Sequence, residues 1–270
     1  MIKLLAVDMD GTCLNRKSLM TEETKKALEA AAKSGITVVP TTGRCLFCLP
    51  HQLAGRRDIY RYVISSNGAR VTDCELDKSL LCSDISKETA LSLLEECAGS
   101  GAGIASHMEH VYLIQGRVLA LMGRAFYGKD ARGVEPVKNM ASYIRSRNKG
   151  VEEIQLYFLA PGTRIRLEKI LGNFPQLSFA STKIYMEIFS RNTSKGTALT
   201  ALSGHLGIQK SEIACIGDGE NDLSMFEASG LKFAMGNGVK KLKEKADYVL
   251  PSNEENGVAA AIKNYILGGC

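Results

Sequence analysis

No apolar run in this sequence approaches the roughly 18 residues that a membrane-spanning helix requires. The opening stretch, Met1 to Val7, also lacks the long apolar region and small-residue cleavage site of a secretory leader. These two absences give the expectation of a cytoplasmic protein with no membrane partner. No repeat or low-complexity tract is present. A nucleic-acid partner is not expected either. The basic stretch Arg145, Arg147, Lys149 has one aromatic neighbour, Tyr143, and no stacking platform. Lys240, Lys241, Lys243 and Lys245 are interleaved with Glu244 and read as a solvated helix face. The net charge of +5 is a slight basic excess, which would at most draw anionic substrates toward a cleft.

A second pair of closely spaced cysteines is missing as well. The eight cysteines are scattered, and Cys45 and Cys48 form a lone C-x-x-C. A structural zinc site needs a second pair, so these residues read as reduced, partly buried thiols. A length of 270 residues suits one large domain or two modest ones. With 45% hydrophobic and 23% charged residues, the composition is that of an ordinary globular protein.

Strand and helix alternate at both ends of the chain. Short apolar strands are expected at Ile2–Val7, Ile36–Pro40 and Tyr62–Ser66, with a helix over Thr21–Ser34 and helical pattern again after Arg44. After the middle, Lys195–Leu206 reads as a helix with Ala198, Leu199, Leu202 and Leu206 on one face. Strands at Ile213–Ile216, Leu231–Met235 and Tyr248–Leu250 alternate with helices at Leu223–Ala228 and Glu255–Ile266. This alternation implies a parallel sheet covered on both faces. The middle differs: helix, two strands, mixed elements, then a strand at Glu152–Leu159, a helix at Thr163–Leu171 and a hairpin at 177–181 and 184–189. The expected fold is therefore α/β: a doubly wound, Rossmann-like core of residues 1–83 and 190–270, with an α+β insert over 84–189.

Four segments carry candidate chemistry. Asp8 and Asp10 follow the first strand two residues apart, which in an extended backbone points both to one side, with Met9 facing away and Gly11 permitting a sharp exit. Ligands bind beyond the carboxyl ends of strands in doubly wound sheets. The pair could form a metal site, an acid–base pair, or a nucleophile with its helper. Asp218, Asn221 and Asp222 lie between a later strand and helix, where oxygen ligands suit magnesium and the last two could cap the helix or support neighbours. Thr41-Thr42-Gly43-Arg44 offers a hydroxyl, a glycine amide and a helix start, a phosphate-binding arrangement. Lys195 opens a helix, where a cation does not help the helix dipole, so it points to a purpose such as holding phosphate.

The order and spacing of these motifs resemble the haloacid dehalogenase superfamily, and within it the Cof-like phosphatases with a large α/β cap. The resemblance rests on DMDGT at 8–12, TGR at 42–44, SNGA at 66–69, SKGTAL at 194–199 and GDGENDLSM at 217–225. It implies Asp8 as nucleophile and Asp10 as general acid and base. It implies Mg²⁺ held by Asp8, Asp10 (through its backbone carbonyl), Asp218 and Asp222, the last as direct ligand or as support. The phosphate-binding set it implies is Met9, Thr42, Gly43, Lys195 and Asn221, with Arg44 and Asn67 at the cap-facing rim. The expected activity is hydrolysis of small phosphomonoesters, sugar or cofactor phosphates, through an aspartyl-phosphate. A sugar phosphomutase or disaccharide-phosphate phosphatase shares the same motifs, and a non-catalytic regulator that binds a phosphometabolite is the rival of another kind. Nothing in the sequence fixes an oligomeric state. His107, Glu109 and His110 read as surface residues of a strand edge or turn, and Ser203-Gly204-His205 has no partner spacing for a triad.

Overall fold

The computed structural model describes residues 1–268. In chain order its strands are β1 (Leu4–Asp8), β2 (Thr37–Thr41), β3 (Tyr62–Ser65), β4 (Arg70–Asp73), β5 (Lys78–Cys82), β6 (Gly103–Met108), β7 (Val111–Gln115), β8 (Val134–Val137), β9 (Glu153–Tyr157), β10 (Leu177–Ser181), β11 (Tyr185–Ser190), β12 (Ile213–Gly217), β13 (Leu231–Ala234) and β14 (Tyr248–Val249). The helices are α1 (Glu22–Lys33), α2 (Lys87–Glu96), α3 (Arg117–Tyr127), α4 (Met140–Arg145), α5 (Pro161–Leu171), α6 (Lys195–Leu206), α7 (Leu223–Ala228), α8 (Lys240–Lys243) and α9 (Gly257–Ala261). The chain divides into two compact units, one of residues 1–44, 50–81 and 194–270, the other of 45–49 and 82–193.

The first unit is built on an eight-stranded sheet of order β14-β13-β12-β1-β2-β3-β4-β5. Strands β14 through β3 run parallel, and β4 turns back antiparallel on β3. β1 sits in the middle, with Leu4 opposite Ile213 of β12 and Thr37 of β2. All five β1 residues are buried, as expected of a strand covered on both faces. Leu4, Ala6, Val39 and Cys215 pack with Ala198, Leu199 and Leu202 of α6 and Met225 and Phe226 of α7 into one core. α1 begins where Thr21 accepts a hydrogen bond from Thr24 N, with Glu22 and Glu23 in its first turn and Lys33 in its last.

Two expectations of regular structure give way. The pattern after Arg44 yields a single 3-10 turn at Leu46–Cys48, because Leu49 before Pro50 adopts extended backbone. The closing segment is not one uniform helix. A 3-10 turn at 253–255 precedes Asn256 in left-handed conformation, and α9 then widens into a π turn over 262–266. β4 and β5, short and partly polar, carry no periodic signal.

The second unit has its own six-stranded sheet, order β10-β11-β9-β6-β7-β8, antiparallel except for β7 beside β8. Alternation sorts its faces. Met108, Leu113, Ile154, Leu156, Met186 and Ile188 share a core with Leu93 of α2, Ile144 of α4 and Leu167 of α5. The opposite face carries Ala105, Tyr112 and Ile114, which pack with Cys45, Cys48 and Ala120 of α3. Both cysteines of the C-x-x-C are buried in that apolar cluster. Cys270 lies outside the described residues. Glu109 and His110 join β6 to β7 with φ of 52° and 72°, the left-handed pair a two-residue hairpin favours. His107 departs from its expectation as a surface residue. It is buried at 1% exposure, and burial pushes its imidazole down to about 4 despite the opposing pull of Glu152.

Leu93 is fully buried in the second unit's core. Leu93→Ala is expected to cost that unit about 2–5 kcal/mol. Amide hydrogen exchange should quicken across 82–193 and leave β1 and β12 protected. Uniform loss of protection in both units would contradict two separate cores.

Candidate active site

The carboxyl ends of β1 and β12 lie side by side, and the first two motifs follow them directly. Asp8 is the last residue of β1 and is 5% exposed. Gly11 turns the chain with φ +84°, and a Cβ there would collide with the Asp218 carboxylate. Asp218 can therefore approach the first loop, and Thr12 Oγ1 donates to its Oδ1 at 2.9 Å. Asp222 follows in the loop after β12. Its Oδ2 accepts from the backbone N–H groups of Asp218 and Gly219, both at 2.9 Å. Asp222 thus supports its own loop and makes no side-chain cap to α7.

Lys195 is the first residue of α6, behind a capping box formed by Ser194 and Thr197. Its ammonium is buried and donates to Asp8 Oδ1 at 2.6 Å and to Asp222 Oδ1 at 2.7 Å. Burial alone would lower the Lys195 pKa, but the attraction of Asp222 and Asp8 more than offsets it, and the group is held protonated. Asp8 responds in the other direction. Burial raises its pKa well above the ordinary carboxylate range, Lys195 opposes this, and Asp222 and Asp218 push it further up. Asp218 is also raised, first by burial, with the Thr12 hydrogen bond opposing.

One lysine therefore faces three carboxylates. Oxygen atoms of Asp8, Asp218 and Asp222 all lie within 4.8 Å of one another. An all-oxygen donor set with more negative than positive charge fits a hard divalent cation such as Mg²⁺.

Asp10 is placed differently. Its carboxylate is held by the Arg44 guanidinium in a two-point pair, Nε to Oδ2 at 2.8 Å and Nη2 to Oδ1 at 2.7 Å. It does not belong to the carboxylate cluster. Arg44 and Asn67, expected at a rim, are each only 6% exposed. Thr42 is buried, and its Oγ1 accepts from Arg44 N at 3.1 Å. Asn67 Oδ1 accepts from Asn221 Nδ2 at 3.2 Å. Ser66, Asn67 and Gly68 all have positive φ, and a Cβ on Gly68 would strike the Ser194 carbonyl just before Lys195. The SNG, TGR and SKG segments thus converge. Met9, fully buried, lies in the loop between the two aspartates.

Two supporting residues received no role from sequence reasoning. Thr12 holds Asp218 as described. Ser224 Oγ accepts from Gly196 N and donates to the Asn221 carbonyl, both at 3.1 Å. Both lie inside the matched motifs, which was the signal available for them. Ser203 donates to the Thr200 carbonyl within its own helix.

Such a site, at the carboxyl ends of a parallel α/β sheet, belongs to a class of α/β proteins that can gather a cation and an anionic ligand over buried carboxylates. A model of the haloacid dehalogenase-like hydrolase family matches residues 5–262. The chain is 28% identical over 286 residues to the 5-amino-6-(5-phospho-D-ribitylamino)uracil phosphatase YwtE of Bacillus subtilis, covering 99% of each. It is 29% identical to an HMP-PP phosphatase of Klebsiella pneumoniae, covering 92% of this chain and 89% of that one. A solved haloacid dehalogenase-like hydrolase of Bacillus subtilis superposes with a TM-score of 0.84 at 28% identity, covering 98% and 100% of the two chains. The chain is a phosphatase of the haloacid dehalogenase-like hydrolase family, in its Cof-like branch. Among the described residues no helix is long and apolar enough to cross a membrane.

Removing the charge of Lys195 leaves buried carboxylates unpaired. Lys195→Met should lower stability in chelator-containing buffer by on the order of 3 kcal/mol, read as a fall in melting temperature. Added Mg²⁺ should restore more of that loss than it adds to the unaltered protein. An unchanged melting temperature in chelator would contradict the electrostatic role.

Proposed function

We propose that the protein hydrolyses small phosphate monoesters in a Mg²⁺-dependent reaction through a phosphoryl group carried on Asp8. The observation that carries this reading is the Lys195 ammonium bound between Asp8 and Asp222, beside Asp218. Relatives named for small phosphorylated molecules support the substrate class.

Asp8, Asp218 and Asp222 would hold the ion, with the Asp10 backbone carbonyl. Bound Mg²⁺ supplies positive charge that favours the ionised carboxylates and screens the substrate phosphate. Lys195 has three donors and commits two to carboxylates, which leaves the third for a phosphoryl oxygen. The Thr42 hydroxyl accepts from Arg44 N and so keeps its own proton to donate. Gly43 N–H and Asn221 complete the set around the phosphoryl group.

Asp8 Oδ then attacks phosphorus, and the ester P–O bond breaks toward the leaving alkoxide. Asp10, having taken up a proton from solvent on leaving Arg44, gives that proton to the alkoxide oxygen. In the second step Asp10 takes a proton from water, and the water oxygen attacks phosphorus. The bond between phosphorus and Asp8 breaks and releases inorganic phosphate. Splitting one difficult displacement into two lowers the barrier of each. In this cycle the Asp10 carboxylate exchanges Arg44 for the reacting oxygen, so Arg44 sets its resting orientation.

Chelation should abolish turnover of phosphomonoesters, and Mg²⁺ should restore it. Activity that survives verified metal removal would overturn the metal role. Asp8→Asn should form no phosphoenzyme with any substrate. Asp10→Asn retains the nucleophile and loses proton transfer, roughly 10²- to 10⁴-fold in rate. With p-nitrophenyl phosphate, whose leaving group needs no proton, it should accumulate label on Asp8, seen as a phosphoryl mass increment after acid quench. Label on another residue, or identical behaviour of the two variants, would refute this division of roles.

A further inference from the structure

The loop after β13 touches both strand-end loops of the candidate site. Asn237 Nδ2 donates to the Gly11 carbonyl at 2.8 Å, and two residues on, Val239 N donates to the Asp218 carbonyl at 2.9 Å. One short segment thus bonds to the loop that follows Asp8 and Asp10 and to the loop that carries Asp218. Between the two contacts the backbone is packed tightly. A Cβ on Gly238 would sit 3.1 Å from the Asp218 carbonyl oxygen and 2.9 Å from that of Met235. Gly238 N closes the turn by donating to the Met235 carbonyl at 2.8 Å.

The Asn237 amide is oriented from both ends. Its Oδ1 accepts from Asn253 N at 2.9 Å, so Nδ2 is the end that faces Gly11. Asn253 extends the brace, since its own Nδ2 donates to the Leu14 carbonyl at 2.7 Å. Glu254 Oε1 accepts from Arg16 N at 2.7 Å. The first loop is therefore tied at Gly11, Leu14 and Arg16 to the loops after β13 and β14. All of these partners lie in the first unit.

The tie at Gly11 has the most direct bearing on the site. Gly11 stands at φ +84° and has no side chain to limit its rotation. Its nitrogen shares a rigid peptide plane with the Asp10 carbonyl. Fixing the Gly11 carbonyl therefore restrains the Asp10 carbonyl as well. Asn237 is exposed, so water can replace its hydrogen bond and the bond adds little to stability. Its value is geometric. Removing an outer support of a metal site typically costs roughly 10- to 100-fold in metal affinity or activity.

We infer that Asn237 is a positioning residue of the phosphatase site. Through the Gly11 carbonyl it holds the first loop against the Asp218 loop, so that the oxygen donors are set before the cation arrives. This role rests on the Mg²⁺-dependent mechanism proposed above.

Two measurements on the full chain test it, and neither needs turnover. In chelator, Asn237→Ala should quicken amide hydrogen exchange across residues 10–16 and leave the rest of β1 protected. By titration calorimetry the same variant should bind Mg²⁺ about tenfold more weakly than the unaltered protein. Asn139→Ala is the control for a general loss of stability. Asn139 caps α4 in the second unit, where its Oδ1 accepts from Ser142 N at 2.8 Å. Its loss should lower the melting temperature and leave both the exchange of residues 10–16 and the Mg²⁺ affinity unchanged.

Equal Mg²⁺ affinity of Asn237→Ala and the unaltered protein would overturn the inference, as would unchanged exchange across residues 10–16. Weakening of Mg²⁺ binding by Asn139→Ala as large as that by Asn237→Ala would overturn it too. If the unaltered protein itself binds no Mg²⁺, the proposed mechanism fails, and the exchange measurement still decides whether Asn237 holds the loop.

Discussion

A buried ammonium between two buried carboxylates is the constraint on which the rest of this structure depends. Lys195 is about 1% exposed, and a lysine so buried persists only where its charge is met. Asp8 and Asp222 both meet it, at 2.6 and 2.7 Å. Those two residues come from different strand ends and Lys195 from the start of α6. The contact therefore holds only if β1, β12 and α6 are assembled in register. Many local features serve that assembly: the capping box on α6, the tight Gly11 turn, the Gly68 turn against the Ser194 carbonyl. One interaction thus ties the packing of the core to the geometry of the chemistry.

The same cluster is under-neutralised. Three carboxylates share one ammonium, and the pKa of Asp8 and of Asp218 rises as a consequence of burial and mutual repulsion. A protein selected only for stability would not concentrate acids in this way. The arrangement suits a site that stores unfavourable charge for a cation and a phosphate to relieve.

Asp10 and Arg44 add a second level of control. The two carboxylates that flank Met9 diverge: Asp8 points into the buried cluster, and Asp10 is pinned by a planar two-point pair. In the reaction proposed above, one carboxylate bonds to phosphorus and the other handles protons, even though both belong to the same short turn. The separate sheet of the second unit has a different character. One face is an ordinary aliphatic core, while the other gathers aromatic rings around hydrogen bonds that join Tyr112, Tyr157, Gln155 and Glu153.

What the sequence by itself determined is whatever depends on near neighbours. Alternation and buried apolar runs set β1, β2 and β12, and helical periodicity set α1 and α6, whereas the expectation that a two-residue spacing turns Asp8 and Asp10 to one side gives way to carboxylates that diverge, one to Lys195 and the other to Arg44. The motif segments and the change of pattern in the middle of the chain were legible for the same reason. The short hairpin strands β4 and β5, the failed helix after Arg44 and the burial of His107 were not, because packing across the chain overrides weak local preference there. Only the tertiary structure decided which charges meet. Lys195 and Asp8 are 187 residues apart, Thr12 and Asp218 are 206 apart, and Arg44 chose Asp10 at a distance of 34. No periodicity encodes such pairings. They follow from which strand ends lie side by side, and that is settled by the burial of whole sheets and helices at once.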